Sequence, residues 1–195
     1  MQHVLTPYAT HPEPFVWWEN GFTEQELGWL REQAIRANQR AQVGGNITSE
    51  ALAKIRRSQV SWLNKTQDTA WVFEKLGHIT SSLNAKYYQF DLTGFGEALQ
   101  LTNYDQSEAG MYGWHVDLGS NTGPSRKLSL VLQLTDPSQY EGGNLQLYIG
   151  GHPQTVRKQR GLVVAFPSYM VHQVTPVTQG SRQSLVAWAS GPAFK

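Results

Sequence analysis

The chain has 195 residues, of which 39% are hydrophobic and 16% charged; these values are typical of one folded domain and exclude a disordered chain. The net charge of +1 gives no broad field for nucleic acid or membranes, and the lack of cysteine excludes disulfides, thiolate metal sites and cysteine nucleophiles. No apolar run approaches the ~20 residues that span a membrane, and no secretory leader pattern opens the chain. We therefore expect a cytoplasmic protein without a nucleic-acid or membrane partner.

Residues 1–90 carry the signals of helices. A short strand is predicted around residues 15–18, and Thr23 and Glu26 then match a capping box, which is typical of a helix N-terminus. Apolar residues at helical spacing extend this helix to near Arg40.

The segment between this helix and the next contains a loop and a strand. Residues 41–50 have the composition of a mobile loop, and residues 55–63 that of a strand. A second helix is predicted to start near residues 66–68. We expect Trp62 and Trp71 to lie in the core.

After about residue 91, short apolar or alternating runs are separated by Gly, Pro, Asn and Asp. Helices followed by many strands predict one α+β domain over residues 1–195, with a helical part of about 1–90 packed on one sheet of a core of about 91–192. The periodicity by itself indicates a sandwich or barrel. The predicted strands cover residues 97–104, 111–117, 127–135, 144–149, 162–166, 169–174 and 183–189.

Three residues have side chains of the types that ligate a metal. His115 and Asp117 alternate on one predicted strand and therefore share a face, and His172 lies on a later strand. Two histidines and one carboxylate form the facial triad of non-haem Fe(II) oxygenases, which leaves coordination positions open. Because a His-x-Asp pattern is common, these three residues alone are equally compatible with ordinary polar positions on strands.

A second pair of residues strengthens the metal hypothesis. Arg182 and Ser184 alternate on the last predicted strand, where a guanidinium fork and a hydroxyl can hold a carboxylate. With His115, Asp117 and His172, this set resembles the 2-oxoglutarate-dependent oxygenase superfamily. The resemblance implies a double-stranded β-helix (jelly roll) core, Fe(II), the co-substrates 2-oxoglutarate and O₂, and ascorbate as an optional addition. It assigns the distal carboxylate of 2-oxoglutarate to Arg182 and Ser184.

Over residues 50–190 the chain resembles the prolyl 4-hydroxylase-like branch of that superfamily. The resemblance implies that Tyr104, in the run Leu99-Gln100-Leu101-Thr102-Asn103-Tyr104, also binds 2-oxoglutarate. It further implies a substrate wall of Tyr112, Arg126 and Trp188. Taken alone, Tyr112 and Trp188 are more often core aromatics, and Arg126 is more often a solvated turn residue.

The expected function is hydroxylation of prolyl residues in a peptide or protein, with conversion of 2-oxoglutarate and O₂ to succinate and CO₂. Two alternatives stay open. One is the same chemistry on a free amino acid or small metabolite, and the other is a non-catalytic metal-binding jelly roll, which Arg182 and Ser184 disfavour. Nucleic-acid demethylation is also disfavoured, because that branch carries a second arginine where Trp188 stands. No oligomeric state is predicted.

Overall fold

The computed structural model describes residues 13–37, 39–41, 48–119 and 125–193. None of the helices in these ranges combines the length and the apolar character that crossing a membrane requires. The helices are α1 (Glu24–Ile35), α2 (Ser49–Ile55) and α3 (Ala70–Leu83), which continues into a π-helical turn (Asn84–Tyr88), and two 3₁₀ turns lie at Gln106–Glu108 and Pro137–Gln139. The strands are β1 (Val16–Trp18), β2 (Gln39–Arg40), β3 (Arg56–Arg57), β4 (Gln59–Leu63), β5 (Gly94–Phe95), β6 (Leu99–Asp105), β7 (Met111–His115), β8 (Ser125–Gln133), β9 (Tyr140–Gly142), β10 (Leu145–Ile149), β11 (His152–Thr155), β12 (Val163–Pro167), β13 (His172–Val174) and β14 (Val177–Gly191).

The described strands form two sheets, and their neighbours run antiparallel. The larger sheet has nine strands in the order β1-β12-β8-β14-β6-β4-β2, with β5 and β9 also paired to β14. The smaller sheet has five strands in the order β11-β10-β13-β7-β3. The long strand β14 is the centre of the larger sheet, because four other strands pair with it.

The larger sheet is buried on both faces. On β8, Leu130 and Leu132 pack in one cluster with residues of α1 and α3, whereas Val131 between them packs in a second cluster with residues of the smaller sheet. On β12, Ala165 and Phe166 divide between the same two clusters. Since alternate side chains of a strand point to opposite faces, α1 and α3 cover one face of the larger sheet and the smaller sheet covers the other.

Most of the predicted elements are present. Strands occur in all seven predicted segments after residue 91, and α1 and α3 pack on one sheet as expected, whereas α2 packs against β3 and β7 of the smaller sheet. The capping box is also confirmed, since Thr23 Oγ1 accepts from the Glu26 N–H at 3.3 Å and Glu26 Oε2 accepts from the Thr23 N–H at 2.7 Å. The two antiparallel sheets are compatible with a jelly roll, and that finer assignment stays a prediction.

The predicted boundaries before residue 70 need correction. Helix α1 ends at Ile35 rather than near Arg40, because Gln39 and Arg40 pair with β4 instead of continuing the helix. Helix α3 begins at Ala70, and the preceding turn is fixed by Thr69 Oγ1, which donates to the carbonyl of Asn64.

The loop and strand predicted between the two helices also differ. Of the loop predicted over 41–50, residues 42–47 lie outside the described residues, and α2 begins within its last part. The strand predicted over 55–63 is divided at Ser58: β3 joins the smaller sheet and β4 the larger one. Because of this division, Arg56 at the start of the segment lines an interior cavity.

Candidate metal and co-substrate site

Three potential metal ligands meet where two strands of the smaller sheet lie side by side. His115 is the last residue of β7, His172 is the first residue of β13, and the two are paired in register. Asp117 follows β7, and its backbone N–H donates to the Ser168 carbonyl at 2.8 Å. One ligand atom from each of the three residues, which we call the metal triad, lies within 4.8 Å of the others.

Both imidazoles of the metal triad are oriented by backbone carbonyls. Nδ1 of His115 lies 2.8 Å from the Gly113 carbonyl, and Nδ1 of His172 lies 2.9 Å from the Met170 carbonyl. A carbonyl oxygen only accepts hydrogen bonds, so each Nδ1 carries the proton and each Nε2 is available to a metal. The two Nε2 atoms lie 3.5 and 3.4 Å from the Asp117 carboxylate oxygens, which suits donor atoms that share one ion at about 2.0–2.2 Å.

Asp117 is buried but ionised. Burial by itself would raise the pKa of its carboxyl group, but the charge of His172 and hydrogen bonds from both histidines outweigh burial and hold that pKa well below its usual value. Burial likewise opposes protonation of His172, yet the Asp117 carboxylate raises the His172 pKa, whereas burial lowers the pKa of His115. A bound cation would therefore take the place of a proton between these groups.

A second shell of hydroxyls orients the Asp117 carboxylate. Ser129 Oγ donates to Asp117 Oδ2 at 2.9 Å and lies 3.0 Å from Ser168 Oγ. Both serines are fully buried. Such hydrogen bonds fix the rotation of a ligating carboxylate and tune the affinity for metal.

Arg182 and Ser184, which we call the carboxylate clamp, lie on β14. Arg182 is only 2% exposed, and its Nη1 donates to Ser184 Oγ at 3.3 Å. Its Nη2 is buried without a hydrogen-bond partner in the described part of the chain. A buried guanidinium with an unpaired N–H is costly, so this atom fits an anionic ligand such as the distal carboxylate of 2-oxoglutarate.

A glycine lies directly against the clamp. Gly143 has a φ of +56°, and a Cβ at this position would lie 3.0 Å from Arg182 Cδ.

Tyr104 also lies next to the clamp. It is paired with Arg182 across β6 and β14, and its ring lies 5.5 Å from the guanidinium carbon of Arg182.

The metal triad and the clamp line one cavity of about 370 Å³, a volume typical of small-molecule sites. Every second residue of β14 from Arg182 to Trp188 contributes to it, as expected for one face of a strand. The structure thus brings together all the predicted site residues, whose individual roles stay predictions: Tyr104, Tyr112, His115, Asp117, Arg126, His172, Arg182, Ser184 and Trp188.

The predicted substrate wall consists of stacked groups. The Tyr112 ring stacks on His115, with centroids 3.5 Å apart and planes 15° apart. The Arg126 guanidinium carbon lies 3.7 Å from the Trp188 ring centroid, and Nε and Nη2 of Arg126 each donate to Glu97 at 2.6 Å. Glu97 therefore neutralises Arg126 and fixes it over Trp188.

Sequence reasoning did not assign several side chains to the cavity, among them Trp62 and Arg56. Trp62, expected in the core, is 44% exposed, lines the cavity and lies 6.3 Å from Trp188 between ring centroids, so that prediction was wrong. Trp71 does pack against the core. Arg56, which had no predicted role, lines the cavity from the two-residue strand β3. Strands this short have no periodicity, and the Arg56-Arg57 pair was the one available signal.

Comparison with known proteins shows which proteins this chain resembles. Residues 99–190 match the family model described as the 2OG-Fe(II) oxygenase superfamily. The predicted resemblance to that superfamily is thereby confirmed, and it implies Fe(II), 2-oxoglutarate and O₂.

Individual relatives and structures agree with the prolyl hydroxylase-like branch. A PKHD-type hydroxylase of Shewanella baltica (strain OS155 / ATCC BAA-1091) is 29% identical over 174 residues, which is 87% of this chain and 75% of the relative. A Pseudomonas putida prolyl-4-hydroxylase has the same fold, with a TM-score of 0.70 and 19% identity over 92% of this chain and 94% of that chain. A Trichoplax adhaerens prolyl hydroxylase, solved with a hypoxia inducible factor oxygen degradation domain peptide fragment, gives a TM-score of 0.71 and 17% identity over 91% of this chain and 83% of that chain.

Proposed function

We propose that this protein is an Fe(II)- and 2-oxoglutarate-dependent dioxygenase that hydroxylates prolyl residues of a peptide or protein. The observation that carries the proposal is the single cavity shared by the metal triad and the buried, unpaired Nη2 of Arg182. A structural metal needs no such anchor, so the clamp argues against a non-catalytic metal-binding protein.

Each group of the cavity has a defined task in this proposal. His115, Asp117 and His172 hold Fe(II), while the remaining coordination positions stay open for ligands. Arg182 and Ser184 hold the distal carboxylate of 2-oxoglutarate, and Tyr104 adds a further contact. Bound iron and 2-oxoglutarate supply the oxidation, in which 2-oxoglutarate and O₂ yield succinate, CO₂ and one oxygen atom inserted into a substrate C–H bond.

The wall of the cavity supports a prolyl substrate. Tyr112, stacked on His115, and Trp188, covered by Arg126, place aromatic side chains in the cavity that holds the metal triad, and apolar contact with aromatic side chains suits the saturated ring of proline. The related prolyl hydroxylase from Trichoplax adhaerens was solved with a peptide fragment. Peptides are therefore the first substrates to test, and free amino acids or small metabolites the second.

The test is mass spectrometry of proline-containing peptides after incubation with the protein, Fe(II), 2-oxoglutarate and air. His115→Ala removes a metal ligand. His152→Ala is the matched control, because His152 is exposed and makes the same type of Nδ1 contact, 3.2 Å from the Gly150 carbonyl, away from the cavity. We expect one added oxygen on proline with the wild-type protein and His152→Ala, and none with His115→Ala.

Two other results would change the proposal in different ways. Succinate formation without oxidised proline would keep the oxygenase chemistry and reject the prolyl substrate. If folded, metal-loaded protein yields neither product, the non-catalytic alternative takes its place.

A further inference from the structure

Three arginines line the cavity, and one of them has neither an anionic partner among the described residues nor a ligand assigned in the proposed function. Arg126 is paired with Glu97, and Arg182 is assigned to 2-oxoglutarate. The third, Arg56, is 6% exposed, and its Nη2 is buried without a hydrogen-bond partner among the described residues. Its Nε donates to the neutral Ser58 hydroxyl at 2.9 Å.

No carboxylate of the described chain compensates the charge of Arg56. All 15 Asp and Glu residues lie in the described ranges, and none of the ion pairs found there, within 4.0 Å, includes Arg56. The one acidic residue that lines the same cavity, Asp117, is bonded to Ser129 and flanked by two histidines. Because an uncompensated buried charge is destabilising, Arg56 is poised for an anion from outside the chain.

Arg56 is held close to the metal triad. Its backbone pairs with Tyr112, and its guanidinium carbon lies 4.5 Å from the centroid of the Tyr112 ring. That ring stacks on His115. The unpaired nitrogen is thus separated from a metal ligand by one aromatic ring, and its position is fixed before any ligand binds.

We propose that the substrate carries a carboxylate beside the carbon that is oxidised, and that Arg56 Nη2 binds this carboxylate. The inference rests on the proposed function and narrows its substrate class. A single free guanidinium nitrogen suits a singly charged group better than a phosphate, which needs several donors. The carboxylate belongs either to a C-terminal proline, bound as the peptide end or the free amino acid, or to an Asp or Glu side chain next to proline.

The test measures binding without turnover. Calorimetric titrations of the protein loaded with Fe(II) and 2-oxoglutarate, without O₂, compare N-acetylproline with N-acetylproline amide. A second pair, N-acetyl-aspartyl-proline amide and its asparaginyl counterpart, examines the side-chain source. For one of these pairs we expect the carboxylate to bind roughly 10- to 100-fold more tightly than the amide, as for a charge-assisted hydrogen bond.

Protein variants assign the preference to Arg56. Arg56→Met removes the buried charge and keeps an unbranched apolar side chain in its place. We expect it to bring the ratio of carboxylate to amide affinity close to one without altering the affinity for 2-oxoglutarate. Lys54→Gln is the charge control, since Lys54 is 76% exposed and faces Glu50. It removes one positive charge nearby and should keep the wild-type ratio.

Several outcomes would overturn the inference. They are equal binding of carboxylate and amide by the wild-type protein, an unchanged preference in Arg56→Met, or a loss of 2-oxoglutarate affinity in that variant. The comparison within the wild-type protein decides the question even if the variant does not fold. Failure of the proposed function is distinct: the carboxylate ligand then binds preferentially, but proline gains no oxygen when O₂ is admitted.

Discussion

The metal triad and the carboxylate clamp are completed in different ways. In the triad, both Nδ1 atoms and Asp117 Oδ2 have hydrogen-bond partners within the described chain. In the clamp, Arg182 meets Ser184 through Nη1, while Nη2 is left unpaired. The chain therefore orients its metal ligands by itself, whereas the clamp reaches full hydrogen bonding only when a ligand is bound.

This difference predicts separable defects. Changes in the triad or in its supporting hydroxyls should lower metal affinity, and changes in the clamp should lower 2-oxoglutarate affinity while metal binding stays normal.

The largest effect is expected for Asp117→Ala. It removes the one anionic ligand of the triad, so Fe(II) binding should fall by more than the roughly 100-fold typical of a lost second-shell contact. Metal content after gel filtration measures this loss. Asp136→Ala is the control, because Asp136 is a half-buried residue outside the cavity whose carboxylate accepts hydrogen bonds from Ser138. Retention of iron by the Asp117 variant would show that these three residues do not form the metal site.

Arg182→Met should act on the co-substrate alone. Loss of one partner of a buried charge pair costs about 2–5 kcal/mol, so 2-oxoglutarate should bind roughly 30-fold to a few thousand-fold more weakly. Titration of 2-oxoglutarate into the iron-loaded protein measures the change. A simultaneous loss of iron would show that the triad and the clamp are one coupled unit.

Ser129→Ala should have a smaller effect, on metal affinity. Without its hydroxyl, Asp117 Oδ2 loses a donor at 2.9 Å, and the affinity for Fe(II) should fall by about 10- to 100-fold. Competition with a chelator measures it. Ser168→Ala removes the hydroxyl that lies 3.0 Å from Ser129 Oγ, and it should lower the affinity for Fe(II) less than Ser129→Ala does. A larger loss in Ser168→Ala would contradict the role given to Ser129.

Acidification should weaken metal binding gradually. Fe(II) binds the neutral imidazole, and Asp117 raises the pKa of His172 above the usual 6.5 despite burial, so affinity should fall about tenfold per pH unit below that raised value. Asp117 stays ionised through this range, because its pKa is well below the usual value. Chelator competition across the pH range tests this; a pH-independent affinity would contradict it.

In the metal-free protein, the same pKa shifts affect stability with opposite signs. The His172 contribution is present below the unfolded-state pKa of histidine and is lost as pH rises through the raised folded-state value. The Asp117 contribution is present above the unfolded-state pKa of aspartate and is lost as pH falls through the lowered folded-state value. Thermal unfolding followed against pH separates the two.

Sequence reasoning found the residues whose type and spacing follow from local chemistry. His115 and Asp117 were found by assuming alternation on one strand, although β7 ends at His115 and Asp117 lies just after it. Arg182 and Ser184 follow from alternation on β14, and the start of α1 follows from its capping box. Seven of the ten strands after residue 91 follow from turn residues between apolar runs, whereas the short strands β5, β9 and β11 were not predicted.

Side chains placed by long-range pairing were not predictable in this way. Arg56 reaches the cavity because β3 pairs with β7, far along the chain. The ion pair of Arg126 with Glu97 and the exposure of Trp62 depend on how β4, β6 and β14 assemble, which no local pattern encodes. The end of α1 was misplaced because pairing of β2 with β4 overrides helix propensity.

Strand β14 sets the distance between the co-substrate anchor and the substrate wall in the proposed reaction. Arg182, Ser184 and Trp188 lie on one face of the strand, so the six residue-to-residue steps from Arg182 to Trp188 fix a span of roughly 20 Å. Substitution at Trp188 can alter substrate choice and leave the co-substrate anchor in place. Insertion of one residue between Ser184 and Trp188 would instead rotate Trp188 to the opposite face of the sheet. Side chains along this strand can therefore be exchanged, but the number of residues between Ser184 and Trp188 is fixed.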